Sequence, residues 1–277
     1  VQEKLILYTS DETLIHRLSG LTKLISFLLL TSAVMYTYDI RVIIGILVFS
    51  FFLMRVAKIK FARVKLMFAY VFAFLAVNEI ITFLFAPTEG VKIFGTEHLL
   101  FYISKNYPVT LEQIFYQTTK FLKYVSVIPL GMIFLFTTNP SELASSLNRI
   151  GVNYKIAYSF ALTLRYFPDI QKAYKDISLA QQARGIDLSY KAKFKDRFKY
   201  ALLILIPLIF SSLERVEKIS NAMDLRGFGK YKKRTWYTTK KFTFEDYLAL
   251  GISGLILLIS IAIGVFVNKG RFYNPFL

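Results

Sequence analysis

Apolar residues come in five long runs divided by charged stretches, at 21–38, 40–54, 64–86, 111–137 and 247–267. A helix needs ~20 residues to cross a bilayer. The third and fifth runs have that length. The second is short and needs extension at one end, and the fourth is apolar mainly from Tyr124 onward. The pattern predicts an all-α integral membrane protein with about five spans. The stretch 87–110, with Pro87, Gly90, Gly95 and Pro108, reads as a turn-rich connection.

Between the fourth and fifth runs the pattern changes to helical amphipathicity. Asn139 and Pro140 form a helix-start signal, an N-cap followed by proline in the first turn, and a short helix from Ser141 to Arg149 ends at Gly151. Ile170, Ala173, Tyr174, Ile177, Ala180 and Ala183 then mark one apolar face at spacings of three and four, and Ile209, Leu213, Val216, Ser220 and Met223 mark another. Ala201 to Phe210 is an apolar run too short to span and holds Pro207, so it is expected to be buried between helices or to lie near the membrane surface. Three regions result: 1–137 with four spans, 138–246 with long amphipathic helices, and 247–277 with the last span and a tail.

Composition agrees with a membrane class: 277 residues, 55% hydrophobic, 17% aromatic, mean hydropathy +0.47. The net charge of +17 would point to nucleic acid in a soluble protein, but here the basic residues crowd particular loops. Arg55, Lys58, Lys60, Arg63 and Lys65 fill the second loop, and 149–241 carries 20 Lys and Arg. With Lys4, Arg17 and Lys23 one side holds 28 of the 35 basic residues, and the other holds 5 (Arg41, Lys92, Lys105, Lys269, Arg271). By the positive-inside rule the N-terminus and 138–246 are cytoplasmic and the C-terminus is outside. The first twenty residues are polar and charged and do not read as a signal peptide, and without an initiator Met a trimmed start is the expectation.

Much chemistry is absent. With no cysteine, neither a disulfide framework nor a thiolate site is available. No phosphate-cradling glycine loop, His-Glu-x-x-His or Gly-x-Ser-x-Gly occurs. His16 and His98 fall on opposite sides of the membrane, so no metal site is expected. Glu79 in the third run and Lys120 and Lys123 in the fourth are ionisable groups at membrane depth. They form either a polar path or a structural pair, Glu79–Lys120 or Glu79–Lys123.

One pattern repeats. Ser178, Ala180, Arg184 and Gly185 match Ser220, Ala222, Arg226 and Gly227, 42 residues on. Helix termination explains each Arg-Gly: the cation complements the helix dipole and glycine takes the left-handed position. The functional reading is that two exposed guanidinium forks dock into acidic grooves of a partner, with Ile186, Leu225 and Phe228 filling apolar sockets beside them.

Five stretches in order carry a family resemblance: Ile15 to Leu24 (IHRLSGLTKL), Thr137 to Leu143 (TTNPSEL), Leu164 to Pro168 (LRYFP), Ala180 to Gly185 (AQQARG) and Ala222 to Gly227 (AMDLRG). Through them the chain resembles the transmembrane coupling subunit of energy-coupling factor transporters, the EcfT/CbiQ family. Three positions depart from its pattern. Ser19-Gly20 stands for Asp-Pro, which implies a looser start to the first span; Leu225 stands where alanine is frequent; Lys120 or Lys123 stands where arginine is frequent. The resemblance implies a multi-pass protein of the prokaryotic inner or plasma membrane, not itself an enzyme, that binds no cofactor. It implies two ATP-binding-cassette ATPases, alike or different, that use ATP and are docked at Ala183, Arg184, Gly185 and Leu225, Arg226, Gly227. It also implies a membrane-embedded S-component that captures a vitamin or a metal ion. Leu188, Tyr190, Phe194, Phe198, Leu202, Leu205 and Leu208 are a candidate face for the S-component, or else pack on this chain's own spans. The basic run 191–199 suits anionic lipid headgroups, and no nucleic-acid partner is implied. A different class of function, a membrane enzyme acting on a lipid or isoprenoid, would want clustered acids, whereas Asp187, Asp196 and Asp224 lie scattered among basic residues.

Overall fold

The computed structural model describes residues 13–59, 61–104, 107–186, 194–231, 235–236 and 240–276, with side chains at 61–64, 104, 140 and 194–197 set aside. These residues form two compact units, one from 13–139 with 240–276 and the other from 140–236.

The first unit is a helical bundle. Its elements are α1 (Leu14–Arg17), α2 (Gly20–Tyr36), α3 (Ile40–Val56), α4 (Phe61–Phe85), α5 (Glu89–Phe94), strands β1 (Leu99–Ser104) and β2 (Tyr107–Thr110), α6 (Leu111–Thr137), and a last helix Phe244–Ala262 that continues as a π turn, Ile263–Val267. Each of the five apolar runs is a helix. Lys65–Phe85, Leu111–Thr137 and Phe244–Val267 are long and apolar enough to cross a membrane. At 17 residues each, α2 and α3 are about 26 Å long, at the short end for a ~30 Å hydrocarbon layer.

The centre of the bundle is α6. Leu30, Ala33 and Val34 of α2, Ile46 of α3 and Leu130 of α6 form one core cluster, and Met54 of α3, Phe68 of α4 and Met132 and Phe136 of α6 form a second. Polar ties fix the ends. Lys23 Nζ donates to the carbonyls of His16 (3.1 Å) and Thr137 (2.7 Å), holding the start of α2 to the end of α6. The looser start expected from Ser19-Gly20 is not found. The Ser19 hydroxyl caps α2 by accepting from Thr22 N at 3.2 Å, and Ser19 N donates to Asp246 Oδ1 at 2.8 Å. Serine is among the favoured helix caps, and the long-range bond secures it to the last helix.

The 87–110 connection also differs from expectation. It holds α5 and an antiparallel pair of strands in which Leu99 faces Thr110 and Ser104 faces Tyr107. Gly90 lets α5 lie directly on α6. Its N–H donates to Gln113 Oε1 at 2.8 Å, and a Cβ there would overlap the Glu112 carbonyl and the Gln113 amide. Both are backbone atoms of a helix and cannot turn aside. Gly90→Ala is therefore expected to cost about 1–3 kcal/mol, read as a lower melting temperature of the detergent-solubilised protein. An unchanged melting temperature would show that α5 is free to move.

The second unit contains α7 (Pro140–Arg149), α8 (Tyr154–Ala183) and α9 (Phe194–Leu225). As the start signal predicts, α7 opens at Pro140, and the chain leaves it through Gly151 at φ +105°. Of the two placements expected for 201–210, burial between this chain's helices is not found, and a place near the membrane surface is left. The run lies in the middle of α9, which passes through Pro207, and only Ile204 is buried, with Leu202, Leu203, Leu205, Ile206, Ile209 and Phe210 all exposed.

Candidate functional site

The repeated sequence pattern is a repeated backbone structure. At the end of α8, Ile186 N–H donates to Gln181 O at 3.2 Å and Gly185 N–H to Gln182 O at 2.9 Å. At the end of α9, Phe228 N–H donates to Met223 O and Gly227 N–H to Asp224 O, both at 2.9 Å. These are two complete Schellman motifs, and in each the arginine is the cap residue. Gly185 (φ +87°) and Gly227 (φ +67°) occupy the left-handed position, where a side chain would cost about 1–2 kcal/mol.

The termination account of each Arg-Gly is thus realised, but it uses only the backbone of the arginines. Both side chains are exposed, and among the described residues neither makes an ion pair or a side-chain hydrogen bond. Each tip combines a guanidinium with the unpaired negative end of a helix dipole, and the fork projects outward.

Packing within this unit sets the relation of the tips. Asp169 of α8 pairs with Arg215 of α9 at 3.4 Å, and Gln181 Nε2 donates to Leu203 O at 3.1 Å. At the far end the rings of Tyr158 and Tyr154 of α8 pack on Phe228, the first tilted and the second edge-on, with centroids 5.0 and 5.6 Å away. Residue numbers rise along α8 as they fall along α9, so the helices are antiparallel. Arg184 therefore lies beside the start of α9, while Arg226 lies beside the start of α8. At 1.5 Å per residue the two tips stand about 40 Å apart along the pair.

The neighbours of the arginines divide. Ala183 is exposed, and Leu225 is 90% exposed. Ile186 is half-buried. Phe228, expected to fill a socket, is half-buried and packed on this chain's own Tyr154 and Tyr158. Leu188 and Tyr190 lie outside the described residues. Phe194 opens α9; Phe198, Leu202 and Leu205 are exposed, and Leu208 is half-buried.

Sequence reasoning missed two features of this unit. The faces read separately on either side of Pro207 join in α9 as one exposed apolar stripe, Phe198, Leu202, Leu205, Ile209, Leu213 and Val216, at spacings of three and four. Continuing the count across the proline would have shown it. Gln181, inside the first arginine motif, is buried and ties α8 to α9, a role no local signal distinguishes from that of the exposed Gln182.

The membrane charges are also placed. Lys120 Nζ is 3.3 Å from Glu79 Oε2 and donates to Thr82 Oγ1 at 2.6 Å. Lys123 instead donates to Met35 O at 2.7 Å and lies 3.4 Å over the centre of the Tyr38 ring. Of the two pairings considered, Glu79–Lys120 forms.

Comparison with known proteins locates this architecture. Residues 11–237, which contain both tips, match the family described as cobalt transport protein, CbiQ. The chain is similar to the energy-coupling factor transporter transmembrane protein EcfT of Exiguobacterium sibiricum, 29% identical over 264 residues, covering 91% of this chain and 92% of that one. The protein of the same description from Streptococcus equi is 25% identical over 285 residues, 96% of this chain and 97% of the relative. A shorter match, 29% over 151 residues, joins 52% of this chain to 54% of EcfT of Listeria innocua.

Proposed function

The chain belongs to the CbiQ family of cobalt transport proteins, and from that premise we propose that it is the transmembrane subunit of an energy-coupling factor transporter, passing motion from two ATPases to a substrate-binding S-component. The observation that carries this reading is the pair of arginine-capped helix ends set at opposite ends of one antiparallel pair. A single groove could not receive both. Two grooves about 40 Å apart, one on each ATPase of a dimer, could.

In this reading Arg184 enters one ATPase with Ala183, Gly185 and Ile186 around it, and Arg226 enters the other with Leu225, Gly227 and Phe228. Each fork makes charge-assisted bonds to a groove carboxylate. The Schellman turns fix the direction of the forks, so a groove that moves carries its helix with it. When ATP closes and opens the ATPases, the ends of α8 and α9 are driven relative to each other. The S-component takes up that motion along the apolar stripe of α9, where Phe198, Leu202 and Leu205 stand open. Region 138–246 with the N-terminus faces the cytoplasm and the C-terminus faces outward, in line with the basic residues of 55–65. ATP is hydrolysed in the partner chains and the vitamin or metal ion is bound by the S-component, so this chain holds neither.

Co-expression with the ATP-binding-cassette ATPases encoded in the same genome tests the assignment. A tag on this chain is expected to retain two ATPase subunits per copy through detergent purification. Recovery of the chain without ATPase, while the same ATPases assemble with another membrane protein, would reject it.

A further inference from the structure

The strand β1 has no visible reason to be apolar. Leu99, Leu100, Phe101, Tyr102 and Ile103 are consecutive, lie on both faces of the strand, and are 43–64% exposed. Among the described residues one edge of β1 is paired, with β2, whose Val109 and Thr110 are buried. In water an open, uncharged strand of this kind invites aggregation, so something covers it.

Its position says what. Thr110 ends β2 and caps α6, accepting from Gln113 N at 3.2 Å, so the strands leave directly from a membrane-spanning helix. Gln113 Nε2 donates to Ala86 O (3.1 Å) and Gln117 Nε2 to Glu79 O (3.3 Å). The first turn of α6 therefore stands beside the end of α4. At the opposite end of the strand pair, the Tyr107 ring lies 6.3 Å from Phe83, inside the last turn of α4. The strands thus run back beside the end of α4 rather than away from the membrane. The last turns of α4, with Ile80, Ile81, Leu84 and Phe85, are themselves exposed and apolar, so β1 continues a lipid-facing surface.

Two constraints fix the depth. The unpaired edge of β1 has backbone groups that the hydrocarbon core could not satisfy. Tyr102, an apolar ring with a polar end, is of the kind that collects at the boundary between acyl chains and headgroups. We propose that β1 lies in the bilayer interface beside α4, an anchor with its apolar side chains among the upper acyl chains and its open edge hydrated by the headgroup layer.

Trp236 is the chain's one tryptophan, so Trp236→Phe gives a silent background for a single probe. Phe101→Trp, and separately Ile103→Trp, would be made in the full chain and reconstituted in phosphatidylcholine vesicles. Phosphatidylcholine brominated near the top of its acyl chains is expected to lower the emission clearly below that in unbrominated lipid. Lipid brominated deep in the chains should quench less, and aqueous iodide should quench little. Strong iodide quenching without bromolipid quenching would place β1 in water and overturn the proposal. Protection from all three quenchers would mean that protein covers the strand, a second copy or a partner, and would overturn it equally. Stronger quenching by the deep bromolipid would overturn the interfacial placement.

Discussion

Replacing Arg184 and Arg226 together by glutamate is expected to abolish association with the ATPases and ATP-driven uptake, while the chain still inserts and purifies. Removing one partner of a desolvated charge pair costs about 2–5 kcal/mol, or roughly 30- to 4,000-fold in affinity; reversal adds repulsion. The fold should tolerate the change. Arg184 is exposed, has φ −83° and leaves the motif's hydrogen bonds to Gly185 and Ile186, and Arg226 leaves them to Gly227 and Phe228. A glutamate at a helix C-terminus loses about 0.3–1 kcal/mol against the dipole, so Arg→Gln at both sites is the control, with a similar loss of binding and less loss of stability. The antiparallel packing adds a finer expectation. Tips about 40 Å apart share no partner groups, so the free-energy losses of the two single variants should add within ~0.5 kcal/mol. A double variant that still binds ATPases and supports uptake would sink the assignment.

What could be read from the sequence was what local chemistry decides. The start of α7 at Pro140, the helix ends at Gly151, Gly185 and Gly227, and the five apolar helices all follow from caps, left-handed glycines and run length. Features that depend on distant partners stayed hidden. Five apolar residues at 99–103 show neither alternation nor helical period, and between Gly95 and Pro108 they look like loop; pairing with β2 makes them a strand. Pro207 removes one backbone bond from α9, a loss of ~3 kcal/mol in a helix interior, yet the rest of a 32-residue helix carries it. Ser19 looked like a weaker start because its bond to Asp246 spans 227 residues. The arginine tips were legible as motifs, but their opposed placement depends on Gln181 and on the Asp169–Arg215 pair.

The choice between Lys120 and Lys123 was of the same kind. The two differ by less than one helical turn, and only the register of α4 on α6, set by Gln113 and Gln117, puts Lys120 level with Glu79. That register leads to a large effect on stability. Among the described residues Lys120, at 3.3 Å, is the cation that compensates the charge of Glu79. Lys120→Ala strands that charge between two spanning helices, and breaking such a pair costs about 3–5 kcal/mol. The expected result is a sharp fall in the melting temperature and yield of the detergent-solubilised protein. Glu79→Ala alone should cost less, because Lys120 keeps its bond to Thr82 and its long side chain can reach toward the interface. The double variant Glu79→Ala/Lys120→Ala should melt above Lys120→Ala, since it removes the stranded charge. Glu79→Ala/Lys123→Ala should show no such rescue, because Lys123 is held by Met35 O and the Tyr38 ring. Additive losses in the Glu79–Lys120 cycle would mean that the two charges are solvated independently. In that case the polar path considered from the sequence would be the better account of why they lie at that depth.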